Sequence, residues 1–108
     1  MTDAVLHRLA ATVHARRTET ASKSYTRELL DAGPAHCAKK LGEEAVEVAI
    51  AALVQDKKAL VGETADLLYH LLVVLESRGV ALDEVFDELE RRMALTAVGE
   101  KRQKTASR

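Results

Sequence analysis

Cysteine occurs once in this sequence, at Cys37. A single thiol excludes an intrachain disulfide and any CxxC metal or redox motif, and it points to a reducing cytoplasm. Proline also occurs once, tryptophan is absent, and two tyrosines and one phenylalanine are the only other aromatics. Glycine is limited to five. Strand-rich domains spend aromatic residues on sheets and Gly and Pro on turns, so this shortage argues against β structure. Neither sign of charge prevails, since 16 Lys and Arg face 17 Asp and Glu for a net −1. That balance excludes the basic excess of an obligate nucleic-acid binder, and no nucleic-acid partner is expected. No apolar run approaches the roughly 20 residues of a membrane span, and no signal-like segment is present, so no membrane partner is expected either.

What the chain does contain is Ala, Leu, Glu, Lys and Arg, the residues that lose least entropy in a helix. The 108 residues suit one domain, and the fold class expected is all-α. Ala4, Val5, Leu6, Leu9, Ala10 and Val13 recur at helical spacing, which predicts a helix from about Thr2 to Arg17. Thr18–Ser24 is polar and aperiodic and reads as a loop. Tyr25–Asp31 holds a short helix, which Gly33 and Pro34 punctuate. Cys37, Leu41, Ala45, Val48 and Ala52 form a stripe along a long helix from Ala35 to about Gln55. After a break at Gln55–Lys57, a second long helix runs from about Lys58 to Arg78, and Gly79 stops it at the C′ position. A shorter helix carries Leu82, Val85, Phe86, Leu89 and Met93, with Ala81 as a weak N-cap. The expected organisation is a four-helix-type bundle over residues 1–98, built on a long antiparallel hairpin, followed by a flexible polar tail over 99–108.

Charge is segregated along this plan. Residues 1–42 carry a net +3, residues 43–90 a net −9 and residues 91–108 a net +5. An acidic middle between basic ends suits a site that holds cations centrally and anionic groups around them, although ordinary surface balance would give the same totals. Within the acidic middle, Glu44 and Glu47 form one i, i+3 pair and Glu63 and Asp66 another, and this spacing puts each pair on one helix face. Glu44 and Glu47 fall at the edge of the apolar stripe, while Glu43 points nearly opposite and reads as solvated. Asp66 heads the run Leu67–Leu75, which is apolar almost all round and hence expected to be buried on most sides. A carboxylate there is costly unless a cation compensates it.

The two pairs are placed symmetrically about the turn near Gln55. In an antiparallel hairpin Glu47 would therefore stand level with Glu63, and Glu44 with Asp66, about 12 Å from the turn. Four converging carboxylates repel one another unless a cation joins them, and oxygen-only ligands favour Mg²⁺ or Mn²⁺ over zinc. The plainer account makes them exposed acids paired along the helix, with Lys39 and Lys40 four residues before Glu43 and Glu44. One turn beyond Asp66, His70 reads as a hydrogen-bonded core histidine, or else as a proton shuttle or substrate contact. Cys37 falls on the apolar stripe and reads as core. His7, His14 and His36 have no ligand spacing, and no Gly-rich phosphate loop is present.

The string Lys39-Lys40-Leu41-Gly42-Glu43-Glu44-Ala45-Val46-Glu47, followed by Glu63-Thr64-Ala65-Asp66, resembles the EExxE…ExxD signature of the MazG-like all-α nucleotide pyrophosphohydrolases. Within that superfamily the chain looks most like the phosphoribosyl-ATP pyrophosphohydrolases of histidine biosynthesis. The narrowing segments are Ser24-Tyr25-Thr26, Leu29-Leu30 with Gly33, Ala65 to Val73, and Gly79-Val80 with Leu82 to Val85, so the resemblance covers about residues 4–93. It implies Mg²⁺-dependent hydrolysis of phosphoribosyl-ATP to phosphoribosyl-AMP and pyrophosphate in a cytoplasmic homodimer. Glu44, Glu47, Glu63 and Asp66 would be the metal ligands, and Glu44 or Glu47 would also orient the attacking water. Lys39, Lys40 and Tyr25 would face the nucleotide substrate. One segment departs from the family pattern: Ala94 to Gly99 stands where a Gly and then a Ser-Gly step are usual, which removes backbone freedom there. A related enzyme acting on another nucleoside triphosphate, and a non-catalytic helical dimer with solvated acids, are the competing readings.

Overall fold

The computed structural model describes the backbone of residues 3–18 and 24–106, with side chains over 4–18 and 24–95. Five helices follow one another: α1 (Asp3–Arg16), α2 (Tyr25–Ala32), α3 (Pro34–Val54), α4 (Lys57–Ser77) and α5 (Leu82–Ala106). No strand occurs among the described residues. All but the two ends of the loop expected over Thr18–Ser24 lies outside them.

Local chemistry explains the boundaries. Ser24 caps α2, its hydroxyl accepting from the Arg27 amide at 3.0 Å. Gly33 then takes φ 99° and ψ 169°, a conformation closed to side-chain-bearing residues, and Pro34 starts α3 at its first turn. Asp56 caps α4 by accepting from the Ala59 amide at 2.9 Å, which starts that helix at Lys57. At its far end Gly79 adopts φ 71°. The Val80 amide donates to Leu75 O at 2.9 Å and the Gly79 amide to Glu76 O at 3.1 Å, the paired bonds of a Schellman ending. Ala81 offers α5 no side-chain cap, yet its amide donates to the Glu84 carboxylate at 3.0 Å, half of a capping box.

Four helices contribute one side chain each to the centre of the core: Val13, Leu29, Cys37 and Val73. Leu30, Tyr69 and Val74 pack around them. The α3–α4 hairpin is the most extensive helix pair, with α1 lying on α4 and α2 wedged against both hairpin arms. α5 stands apart from the four packed helices, and its start meets α1. There the His7 ring meets Phe86 edge-on at 5.3 Å, and His7 Nε2 lies 2.6 Å from Asp83.

Three expectations are corrected. The stripe along α3 holds at Cys37, which is buried, and at Leu41 and Val48, which are half-buried, but Ala45 and Ala52 are exposed and Ala51 is buried instead. Two successive steps of four, from Cys37 through Leu41 to Ala45, drift about 80° around a helix of 3.6 residues per turn, so Glu44 comes onto the buried line in place of Ala45. The α4 run is not covered all round, since Leu68 and Leu71 are each 38% exposed. And α5 does not close near Met93; its backbone stays helical to Ala106, through the segment read as a tail. Ala, Leu, Glu, Lys, Arg and Gln make up most of that stretch, and Gly99 alone does not end the helix.

The radius of gyration is 16.2 Å, against about 13 Å for a compact domain of this length. The excess reflects an elongated form, 52 Å in its longest dimension.

Candidate functional site

The hairpin turn at Gln55 and Asp56 folds the acidic segment of α4 back on that of α3. Glu44 of α3 and Glu63 and Asp66 of α4 each present a carboxylate oxygen within 4.8 Å of the other two. Glu44 and Glu63 are half-buried and Asp66 is exposed. Glu47 is exposed and stands outside this close group. Its charge still reaches Glu63. Partial burial pushes the Glu63 carboxyl above its ordinary range, and the charges of Glu47, Asp66 and Glu44, in that order, push it further.

The basic neighbours do not cancel this cluster. Lys40 Nζ pairs at 3.1 Å with Glu43, an acid outside the close group, and that hydrogen bond raises the Lys40 pKa and lowers the Glu43 pKa. Lys39 is exposed. Among the described residues none of Glu44, Glu47, Glu63 and Asp66 has a salt bridge. The ordinary pairing of helix acids with Lys39 and Lys40 therefore accounts for Glu43 alone.

Behind the acids lies an aromatic group that the sequence does not advertise. His70 is 6% exposed, and burial holds its pKa below the ordinary histidine value despite the nearby charges of Glu44 and Asp66. It is core, but not the satisfied core histidine expected: Nδ1 is buried with no hydrogen-bond partner. Its ring meets Tyr69 edge-on at 4.9 Å and Tyr25 edge-on at 6.0 Å. The Tyr69 hydroxyl bonds to Thr26, which ties α4 to the first turn of α2. Sequence reasoning marks Tyr25 and His70 but not Tyr69. The available signal for Tyr69 is that it adjoins His70 in the sequence, three residues beyond Asp66.

Cys37 is buried, and its thiol donates to Leu29 O at 3.1 Å. At the other end of α4 a concavity of about 250 Å³ lies between α1 and the start of α5, lined by His7, His14, Leu72, Glu76 and Asp83 among others. Its polar side chains are committed to each other. Glu76 accepts from Arg17 Nε at 2.7 Å and stands 2.9 Å from His14 Nδ1, while His7 engages Asp83.

Residues 6–93 match the model of a protein family described as phosphoribosyl-ATP pyrophosphohydrolase, so the match ends at Met93, just before the divergent segment. The chain is 55% identical over 96 residues to "Phosphoribosyl-ATP pyrophosphatase 1" of Rhodopseudomonas palustris, covering 89% of this chain and 90% of that one. It is 61% identical over 80 residues to a phosphoribosyl-ATP pyrophosphatase of Azorhizobium caulinodans, covering 74% and 73%. With the protein of that name from Methylobacterium radiotolerans it shares 54% identity over 101 residues, 94% of each chain.

Proposed function

The chain belongs to the phosphoribosyl-ATP pyrophosphohydrolase family, and from that premise we propose that it hydrolyses phosphoribosyl-ATP to phosphoribosyl-AMP and pyrophosphate, in the cytoplasm, as a step of histidine biosynthesis. The observation that carries this reading is the convergence of unpaired Glu44, Glu63 and Asp66 inside the matched span.

Mg²⁺ is the cofactor we assign, with Mn²⁺ able to replace it. The donors are hard carboxylate oxygens, no salt bridge among the described residues offsets their mutual repulsion, and that repulsion together with burial holds the Glu63 carboxyl above its ordinary range. Glu44, Glu63 and Asp66 would hold the ion, with Glu47 at the edge of the set. Bound there, it would neutralise charge gathering on the phosphate oxygens as the anhydride bond breaks. Of the two acids weighed as catalytic, Glu47 suits the role of orienting the attacking water and accepting its proton, because it stands outside the close group. Glu44 suits the ligand role. Lys39 and Lys40 would meet the substrate phosphates as point charges, Lys40 exchanging Glu43 for phosphate.

A homodimer belongs to the same proposal. Val46, Ile50 and Leu53 on α3 and Val61, Leu68 and Leu71 on α4 are all exposed in the single chain. A second copy would cover apolar surface that one chain leaves to water.

One observation favours a second reading, an enzyme with the same acids and another nucleoside triphosphate as substrate: α5 runs as continuous helix through Ala94–Gly99, beyond the end of the family match. Genetic complementation separates the two. A bacterial strain lacking the histidine-pathway activity should grow without histidine when supplied with this gene, and should not when the gene carries Asp66→Asn. Failure of the unaltered gene, with the protein folded and expressed, would leave the second reading in place.

A further inference from the structure

Tyr25 is one of only two tyrosines, and it is 51% exposed at the first position of α2. Its ring is not a stray surface group. It stacks against Tyr69 at 6.4 Å with 22° between the planes, and it meets the edge of His70 at 6.0 Å. Tyr69 and His70 are themselves in edge contact at 4.9 Å, and Thr26 fixes the Tyr69 hydroxyl. The three rings therefore form a step, buried at its His70 back and open to solvent on the Tyr25 side. His70 Nδ1 is left without a partner in that buried back.

The step also has a direction. Lys40 lies within electrostatic reach of the Tyr25 hydroxyl and of Glu44, and His70 within reach of Glu44, Lys40 and Asp66. The aromatic faces thus adjoin the stretch of the hairpin where the acids converge. A flat apolar group placed on Tyr25 would lie next to whatever the acids and Lys40 hold.

We infer that Tyr25, backed by Tyr69 and His70, is the seat on which the purine base of the nucleotide stacks, while its phosphates extend toward Lys40 and the carboxylates. This inference rests on the proposed reading of those carboxylates as the phosphate end. Every base has a π face, so a stacking platform supplies affinity for the base without hydrogen-bond readout. Tyr25 is the contact residue; Tyr69 and His70 hold its ring at the required attitude.

With no tryptophan and both tyrosines in the platform, intrinsic fluorescence reports on the step alone. The first test titrates the metal-free protein with AMP and with ribose 5-phosphate, correcting for nucleotide absorbance. AMP should quench the tyrosine emission and ribose 5-phosphate should not. Equal effects from the two, or none from AMP, would overturn the inference. The second test measures turnover of phosphoribosyl-ATP by Tyr25→Leu and Tyr25→Phe. Losing the ring should raise KM about tenfold with little change in kcat, and Tyr25→Phe should recover most of that loss. A Tyr25→Leu enzyme with KM within about twofold of the parent would remove Tyr25 from the base site. If the parent protein quenches with AMP but does not turn over phosphoribosyl-ATP, the platform stands and the assigned substrate falls.

Discussion

Glu44 of α3 and Asp66 of α4 bring carboxylate oxygens within 4.8 Å of each other across the hairpin, with Glu63 completing the group and no cationic partner among the described residues. Such an arrangement costs the metal-free fold free energy that a divalent cation would recover. Asp66→Asn should lower turnover by at least about a hundredfold, the upper range for disturbing a metal site's supporting groups. The metal-free variant should melt no lower than the parent, because one repulsive charge is gone. Melting curves with and without Mg²⁺ check both halves: the parent should gain stability from the ion and the variant should gain little. An undiminished Mg²⁺ response in Asp66→Asn would take that residue out of the metal site.

Gly33 and Gly79 both carry positive φ, but only Gly33 governs the site, since it sets the angle between the helix bearing Tyr25 and the helix bearing Glu44. A Cβ at either position would meet nothing within 4 Å, so the cost of Ala is one of backbone conformation. Gly79→Ala should lose about 1 kcal/mol in urea unfolding. Gly33→Ala should lose about 2 kcal/mol, because its φ and ψ lie further from any region open to alanine. Equal losses would show that the elbow relaxes.

Glu76 anchors α4 to the end of α1. Burial opposes its ionisation, but hydrogen bonds from Arg17 and His14 outweigh burial and hold its carboxyl below the ordinary range. A depressed carboxyl contributes stability that is present above its unfolded value, near 4.5, and is lost as pH falls through the lower folded value. Glu76→Gln should therefore lose about 1 kcal/mol at pH 7, with allowance for the exposure of Arg17 and His14. The gap between variant and parent should narrow as the pH drops below 4.5, and a gap independent of pH would refute the charge-based account.

Ile50 is 44% exposed on the outer side of α3, in line with Val46 and Leu53. In sedimentation equilibrium the protein should show twice its 11.8 kDa chain mass, and Ile50→Glu should reduce it to one. A parent protein of single-chain mass would mean that these residues stay in water, and the dimer would be withdrawn.

Much of this architecture is legible because its punctuation is local. Gly79 stops α4 with its own φ, the Gly33–Pro34 step separates α2 from α3, and symmetry about Gln55 brings the acid pairs toward one another. Local pattern fails where phase accumulates or where partners are remote. Choosing Ala45 and Ala52 for the stripe drifts off the buried line of α3 and hides that Glu44 lies on it. The 99–108 stretch is polar, which suggests a tail, yet no proline interrupts it and the helix backbone continues to Ala106. Pairings such as His7 with Asp83 and Arg17 with Glu76 depend on how α1 lies against α4 and α5, which no single segment records. The unsatisfied nitrogen of His70 is likewise a property of its surroundings rather than of its helix.

The measurement that bears most directly on the central claim is the initial rate of pyrophosphate release from phosphoribosyl-ATP by protein stripped with a chelator, before and after Mg²⁺ is restored, beside ATP and dCTP as alternative substrates. The account requires release that depends on Mg²⁺ and is fast for phosphoribosyl-ATP alone. Release confined to ATP or dCTP would keep the acids as a metal site and contradict the substrate. Silence with all three, in protein shown to be folded and supplied with Mg²⁺, would contradict catalysis and leave a helical binding module in its place.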